Sequence, residues 1–123
     1  MTIKEVSEKV GLSEDALRYY ERVGAIPPVS RKNGRRNYEE EDLKWVRLAV
    51  CMRSAGLPIE ALIEYQKLYA EGDSTILERK ELLKTQREAL IAQRNLLDEA
   101  IDKLDYKISR YEEAEKAGTL SWS

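Results

Sequence analysis

Ile76, Leu83, Leu90, Leu97, Leu104 and Tyr111 recur at seven-residue intervals without interruption. Ile101 and Ile108 supply a second row in the C-terminal half of this stretch, while Lys80, Arg87 and Arg94 hold the equivalent places in the first half. A sustained seven-residue apolar repeat specifies a long helix whose stripe can be met along its length by another helix. One such helix cannot bury its own stripe, so the chain calls for a partner, and a homodimeric coiled coil follows. The repeat leaves the relative direction of the two helices open. Thr75 and Glu78 have capping-box spacing for its start, after the break Glu71-Gly72-Asp73. Its half-polar second row predicts that the N-terminal part packs partly on the head of the partner.

The residues before this helix read as a compact head. Thr2 and Glu5 have capping-box spacing, and Ile3, Val6 and Val10 form an apolar stripe that ends at Gly11. Ser13 then caps a second helix, with Glu14 and Asp15 in its positive first turn and Gly24 as its left-handed stop. Ala16, Leu17, Tyr20 and Val23 form its inner face, and Arg18, Tyr19 and Arg22 its outer face. Helix, tight turn, helix is the helix-turn-helix plan, and it is also the plan of an ordinary helical hairpin.

Pro27 and Pro28 stop any helix, and Asn33-Gly34 is a hairpin-turn signal inside Arg31–Tyr38. Arg31, Lys32, Arg35 and Arg36 give this hairpin four cations and no acid. It reads either as a wing gripping phosphates or as a solvated basic loop. Glu39 to Asp42 open a third helix, with Leu43, Val46 and Val50 on one face and Trp45, Leu48, Ala49 and Met52 widening it. Pro58 is expected in the first turn of a fourth helix, whose apolar face comprises Ile59, Leu62, Ile63, Leu68 and Tyr69.

Charge distribution says more than net charge. The total is -2, yet residues 1–38 hold eight Lys/Arg against five Asp/Glu. The positive charge is concentrated where a nucleic-acid-binding head needs it. With no histidine and one cysteine, neither a conventional zinc site nor a Cys-His nucleophile pair can be built within one chain, and no catalytic constellation is found. No apolar run is long enough to span a membrane, and the N-terminus has no apolar signal segment, so a cytoplasmic protein is expected.

The run Leu17-Arg18-Tyr19-Tyr20-Glu21-Arg22-Val23-Gly24-Ala25-Ile26-Pro27-Pro28 resembles the signature of the MerR family of bacterial transcription regulators. The wing from Arg31 to Arg36 with Tyr38, then Glu41-Asp42-Leu43, and Ser54-Ala55-Gly56-Leu57-Pro58-Ile59-Glu60 extend the resemblance to about residue 65. The family usually has Ser or Thr where Pro58 stands, and the proline removes that side-chain cap.

The resemblance implies a mainly α fold: a winged helix-turn-helix head over residues 1–72, an antiparallel dimerisation helix over 73–115, and a short tail over 116–123. It implies double-stranded promoter DNA as a partner, with the second helix in a major groove and the wing alongside. Arg18 and Tyr19 are the leading contacts, followed by Arg35, Arg36 and Tyr38 for the DNA backbone, with Arg31 and Lys32 as nonspecific phosphate partners. The implied action is distortion of an overlong promoter spacer, which realigns the promoter elements for RNA polymerase. No cofactor is expected.

Metal-sensing members place cysteines at the start of the long helix and beyond, where this chain has Asp73, Ser74 and Thr75. The only cysteine, Cys51 in Val50-Cys51-Met52-Arg53, resembles that of the NmlR-like branch, which is linked to responses to aldehydes and other thiol-reactive species. Arg47 and Arg53 can favour its thiolate. A small packing residue is the competing reading. Trp122 docks on the dimer, or the tail is disordered. Two other functions fit the same pattern: a coiled-coil protein-interaction module, and an excisionase-like architectural DNA-bending protein.

Overall fold

Thr2 opens the first helix as its spacing predicts. Its hydroxyl accepts from the Glu5 N–H at 3.2 Å, and the Glu5 carboxylate accepts from the Thr2 N–H at 3.3 Å. In this computed structural model, which describes residues 1–122, helix α1 spans Ile3–Val10 and ends at Gly11, whose φ of 72° is left-handed. Ser13 caps α2 (Glu14–Val23) by accepting from the Ala16 N–H at 3.0 Å, and Gly24 closes it. The turn between the two helices is held by Ser7, whose hydroxyl donates to the Leu12 carbonyl at 2.5 Å.

The hairpin forms as expected. Strands β1 (Arg31–Lys32) and β2 (Arg35–Arg36) run antiparallel, with Arg31 opposite Arg36 and Lys32 opposite Arg35. Asn33 (φ 53°) and Gly34 (φ 77°) are both left-handed, the requirement of a two-residue turn that matches strand twist. Beyond β2, Asn37 N–H donates to Ser30 O at 2.8 Å. Tyr38 N–H then donates to Met1 O at 2.8 Å, and Met1 N donates back to Tyr38 O at 2.7 Å. These bonds draw the segment after the wing against the start of α1.

Helix α3 (Glu40–Ser54) starts with the Asp42 carboxylate accepting from the Glu39 N–H at 2.9 Å. Helix α4 spans Ile59–Glu71, and Pro58 stands one residue ahead of it, in extended conformation, rather than within its first turn. A 3-10 turn, Asp73–Thr75, leads into α5 (Ile76–Ala117, 42 residues). The expected Thr75–Glu78 capping box is replaced by a different arrangement. The buried Thr75 hydroxyl donates to Leu68 O (2.5 Å), with Gly72 O also within reach (2.8 Å), and accepts from Arg79 Nε (3.0 Å). Thr75 thus ties the end of α4 to the start of α5 instead of capping an N–H.

The chain divides into two compact units, residues 1–86 and residues 87 onward. The first includes the opening turns of α5 with the winged head. Its core gathers Val6 from α1, Leu17 and Tyr20 from α2, Ile26 and Tyr38 from the segments flanking the wing, Val46 from α3 and Leu62 from α4. Trp45, Val50 and Met52 pack against this core, half-buried. The second unit is a single helix followed by the tail, and it has no buried residue among those described. Leu97, Leu104 and Tyr111 of the heptad row, with Ile101 and Ile108 of the second row, are between 53% and 64% exposed, as an unpaired seam must be. In the tail, the Trp122 indole packs on Tyr111 of its own chain, ring centres 5.7 Å apart.

Candidate nucleic-acid interface

The four arginines singled out in the sequence come together. Arg18 of α2 and Arg31, Arg35 and Arg36 of the wing line one open cleft of about 520 Å³, with Thr2 and Lys4 from the start of α1 and Glu14 from α2. Lys32 lines an adjoining hollow with Arg35, Arg36 and Asn37. A recognition helix, a wing and a helix start therefore present a concentrated positive surface suited to phosphate oxygens.

Arg18, Arg31 and Arg36 already have partners within the chain. Arg18 pairs with Asp15 at 2.9 Å and with Glu14 at 3.6 Å, all on the solvent side of α2. Exposed pairs of this kind contribute little stability, so a phosphate or base edge can displace the carboxylates at small cost. Arg31 donates to the Gly34 carbonyl at a long 3.5 Å. Tyr19 lies 40% exposed on the outer face of α2, with the Arg22 guanidinium 5.3 Å from its ring centre.

Arg36 is less available than the sequence suggested. Its side chain is 20% exposed, and its Nε donates to Glu21 at 2.5 Å. The second Glu21 oxygen accepts from the Val29 N–H at 3.0 Å. One carboxylate of α2 thereby fixes both the strand-side arginine and the segment entering the wing. Burial pushes the Glu21 carboxyl up, but the hydrogen bonds from Arg36 and Val29 outweigh it and hold the group below its ordinary value of 4.5. A carboxyl with a depressed native pKa stabilises the fold above its ordinary pKa and loses that contribution as pH falls through the depressed value. The wing anchor is thus complete at neutral pH and fails only below pH 4.5. Glu21→Gln is expected to loosen the wing and weaken DNA binding about fivefold, because a neutral acceptor forms the weaker bond. Faster hydrogen exchange at the Val29 amide, with α2 amides unchanged, would confirm the mechanism; unchanged exchange and affinity would refute it.

Tyr38 requires a correction. It was expected to contact the DNA backbone, but its side chain is 1% exposed in the core, and its hydroxyl has no hydrogen-bond partner among the described residues. Burial raises its pKa above 10.0, so it stays a neutral phenol. The backbone bonds to Met1 draw the ring inward, and that pairing is invisible in the local sequence. The same contact explains why Lys4 was missed: it lies off the apolar stripe of α1, and nothing local announces that the wing folds beside it.

Cys51 is exposed on α3 in the single chain. Arg47, one turn earlier, is also exposed, whereas Arg53 donates to the Leu57 carbonyl at 2.7 Å. Among the described residues, no group of three or more His, Cys, Asp or Glu is arranged to hold a metal ion, and no helix is long and apolar enough to cross a membrane.

Residues 1–68, the stretch that builds this surface, match the family described as MerR HTH family regulatory protein. The chain belongs to the MerR family. Among its MerR-family relatives, the HTH-type transcriptional regulator AdhR of Bacillus subtilis is 55% identical over 92 residues, covering 74% of this chain and 66% of that one. This chain thus spans about two thirds of AdhR. An uncharacterised HTH-type transcriptional regulator of Haemophilus influenzae is 31% identical over 120 residues, covering 97% of this chain and 89% of the other.

Two crystal structures share the MerR fold seen here. A Listeria monocytogenes protein assigned to the family superposes with a TM-score of 0.89 at 50% identity, covering 91% of this chain and 86% of that one. HiNmlR, a MerR family regulator lacking the sensor domain and bound to promoter DNA, superposes with a TM-score of 0.84 at 31% identity, covering 96% and 94%. The likeness to AdhR and HiNmlR places this MerR-family chain on the NmlR-like branch.

Proposed function

We propose that two copies of this chain pair through α5, antiparallel, and set two α2–wing surfaces on double-stranded promoter DNA in the cytoplasm. The observation that carries this reading is the convergence of Lys4, Arg18, Arg31 and Arg35 on one cleft beside the recognition helix. The promoter DNA bound to HiNmlR supports it. Arg18 and Tyr19 enter the groove, while Arg31, Lys32 and Arg35 hold phosphates. Arg36 acts from its bond to Glu21, setting the position of the wing. The dimer distorts an overlong promoter spacer and brings the promoter elements into register for RNA polymerase. The contacts then offset a deformation cost of roughly 1–6 kcal/mol.

Arg18→Ala tests the assignment. It is expected to cost about 1–3 kcal/mol in DNA affinity with relaxed sequence preference if the guanidinium reads a base, or to lower the salt slope by about one if it meets a phosphate. Anisotropy titrations at several salt concentrations distinguish these. Equal affinity and equal slope for both proteins would remove Arg18 from the interface.

Cys51 supplies the signal input in this reading. Its sulfur adds to the carbonyl carbon of an aldehyde as the C=O π pair passes to oxygen, and the thiol proton, relayed through water, ends on that oxygen to give a hemithioacetal. In vitro transcription from the chain's own upstream region is expected to rise with a small aldehyde for the native protein and not for Cys51→Ser, although both bind the DNA. The same response from both proteins would rule out the thiol as the sensor.

A further inference from the structure

The tail carries an arrangement that the DNA-binding reading leaves unused. Gly118, at φ 75°, reverses the chain after α5, with its N–H donating to Ala114 O at 2.7 Å. Arg110 then clamps the returning segment. Its Nε donates to the Ser121 carbonyl at 2.9 Å, and its Nη2 donates to the same oxygen. The Trp122 ring sits at 74° to that of Tyr111, and Lys107 Nζ lies 4.9 Å from the indole centre. Tyr111 is the last residue of the heptad row, so the tail adds a second aromatic ring beside the end of the seam. Both rings remain about half exposed, Tyr111 at 54% and Trp122 at 48%.

The charge pattern of α5 indicates what meets this pair. Residues 76–97 hold five Lys/Arg against three Asp/Glu, and residues 98–117 hold four against seven. The helix is positive in its first half and negative in its second, so a second copy complements it only when running the opposite way. A parallel pair would also set Arg87 against Arg87 and Arg94 against Arg94 in like layers. Leu97, Ile101, Leu104 and Ile108 are successive apolar seam positions. An antiparallel pair centred on them places Leu97 opposite Ile108 and Ile101 opposite Leu104. The next layer outward then sets Arg94 opposite Tyr111.

We propose that the Tyr111–Trp122 pair of each protomer is a seat for the guanidinium of the partner subunit's Arg94, an inference that rests on the dimeric reading above. A planar guanidinium stacks on aromatic faces, and the carboxylates of Glu112, Glu113 and Glu115 with the negative end of α5 add attraction. The tail thereby turns an arginine that is unfavourable at an apolar seam into a contact that selects the antiparallel register.

Sedimentation equilibrium on the full chain tests this. Trp122→Ala is expected to raise the dimer Kd about tenfold, a factor of about three at each of two symmetry-related seats. Trp122→Phe should keep most of the affinity. In an Arg94→Met background, the Trp122→Ala effect should shrink to less than about twofold, the mark of a direct pair. An antiparallel dimer whose Kd does not respond to Trp122→Ala, or a full tenfold loss that persists without Arg94, overturns the seat alone. A native chain that stays monomeric at every concentration overturns the dimeric reading with it.

Discussion

A chain carrying Leu97→Asp together with Leu104→Asp is expected to sediment as a monomer and to bind promoter DNA at least about a hundredfold more weakly. These leucines are 64% and 58% exposed in the single chain and belong to the uninterrupted heptad row, so only a partner can bury them. A carboxylate at each position puts unpaired charge into layers that must be dry for the helices to associate. The loss in DNA binding exceeds the loss of any single contact, because a dimer engages its second half-site intramolecularly, and that advantage amounts to roughly 10²–10⁴. Circular dichroism should show the head still folded, since neither leucine contributes to its core. Undiminished dimers would place the association surface elsewhere.

Leu17→Ala is expected to cost about 2–5 kcal/mol of stability and to lower the melting temperature by about ten degrees or more. Leu17 is fully buried beneath the recognition helix, in the cluster that also holds Val6, Val46 and Tyr38. The cavity left by truncation lies between α2 and the helices that orient it, so DNA affinity should fall through loss of folded protein. Chemical denaturation separates this from an interface effect: DNA binding scaled to the folded fraction should stay near the native value. A melting temperature within two or three degrees of native would mean that the site collapses around the smaller side chain.

What could be read from the residues alone divides along physical lines. The caps Thr2 and Ser13, the stops Gly11 and Gly24, and the Asn33-Gly34 turn act over three or four residues, and each appears in the structure where its spacing put it. That Arg18, Arg31 and Arg35 lie at the surface was legible for a similar reason, since basic residues on a polar face or a polar turn must point outward. The failures share a different cause. Thr75 had the spacing of a cap, but the turn before it offered the Leu68 and Gly72 carbonyls, and the hydroxyl went there. Tyr38 and Lys4 depend on the backbone pairing of Met1 with Tyr38, a contact between residues 37 positions apart. Arg36 was counted as a free cation because Glu21, fifteen residues away, gives no local sign that it reaches the wing. The contact of Trp122 with Tyr111 rests on a reversal at Gly118, which is common to many helix ends and does not by itself say what the next residues will touch.

Glu21 also links the fold to the interface. It lies on α2 but faces the wing rather than the solvent, and so ties α2 to the wing through Arg36 and Val29. The acids Glu14 and Asp15 have the opposite character, because they hold Arg18 on the surface in exposed pairs that contribute little stability.

The central claim is that this chain is a dimer gripping promoter DNA through α2 and the wing. It is tested most directly by titrating a labelled duplex from its own upstream region at several salt concentrations, with the mass of the complex measured in parallel. Two chains per duplex are expected, with log affinity falling linearly and steeply against log salt as several phosphates are neutralised. One chain per duplex, or an affinity indifferent to salt, would contradict the account.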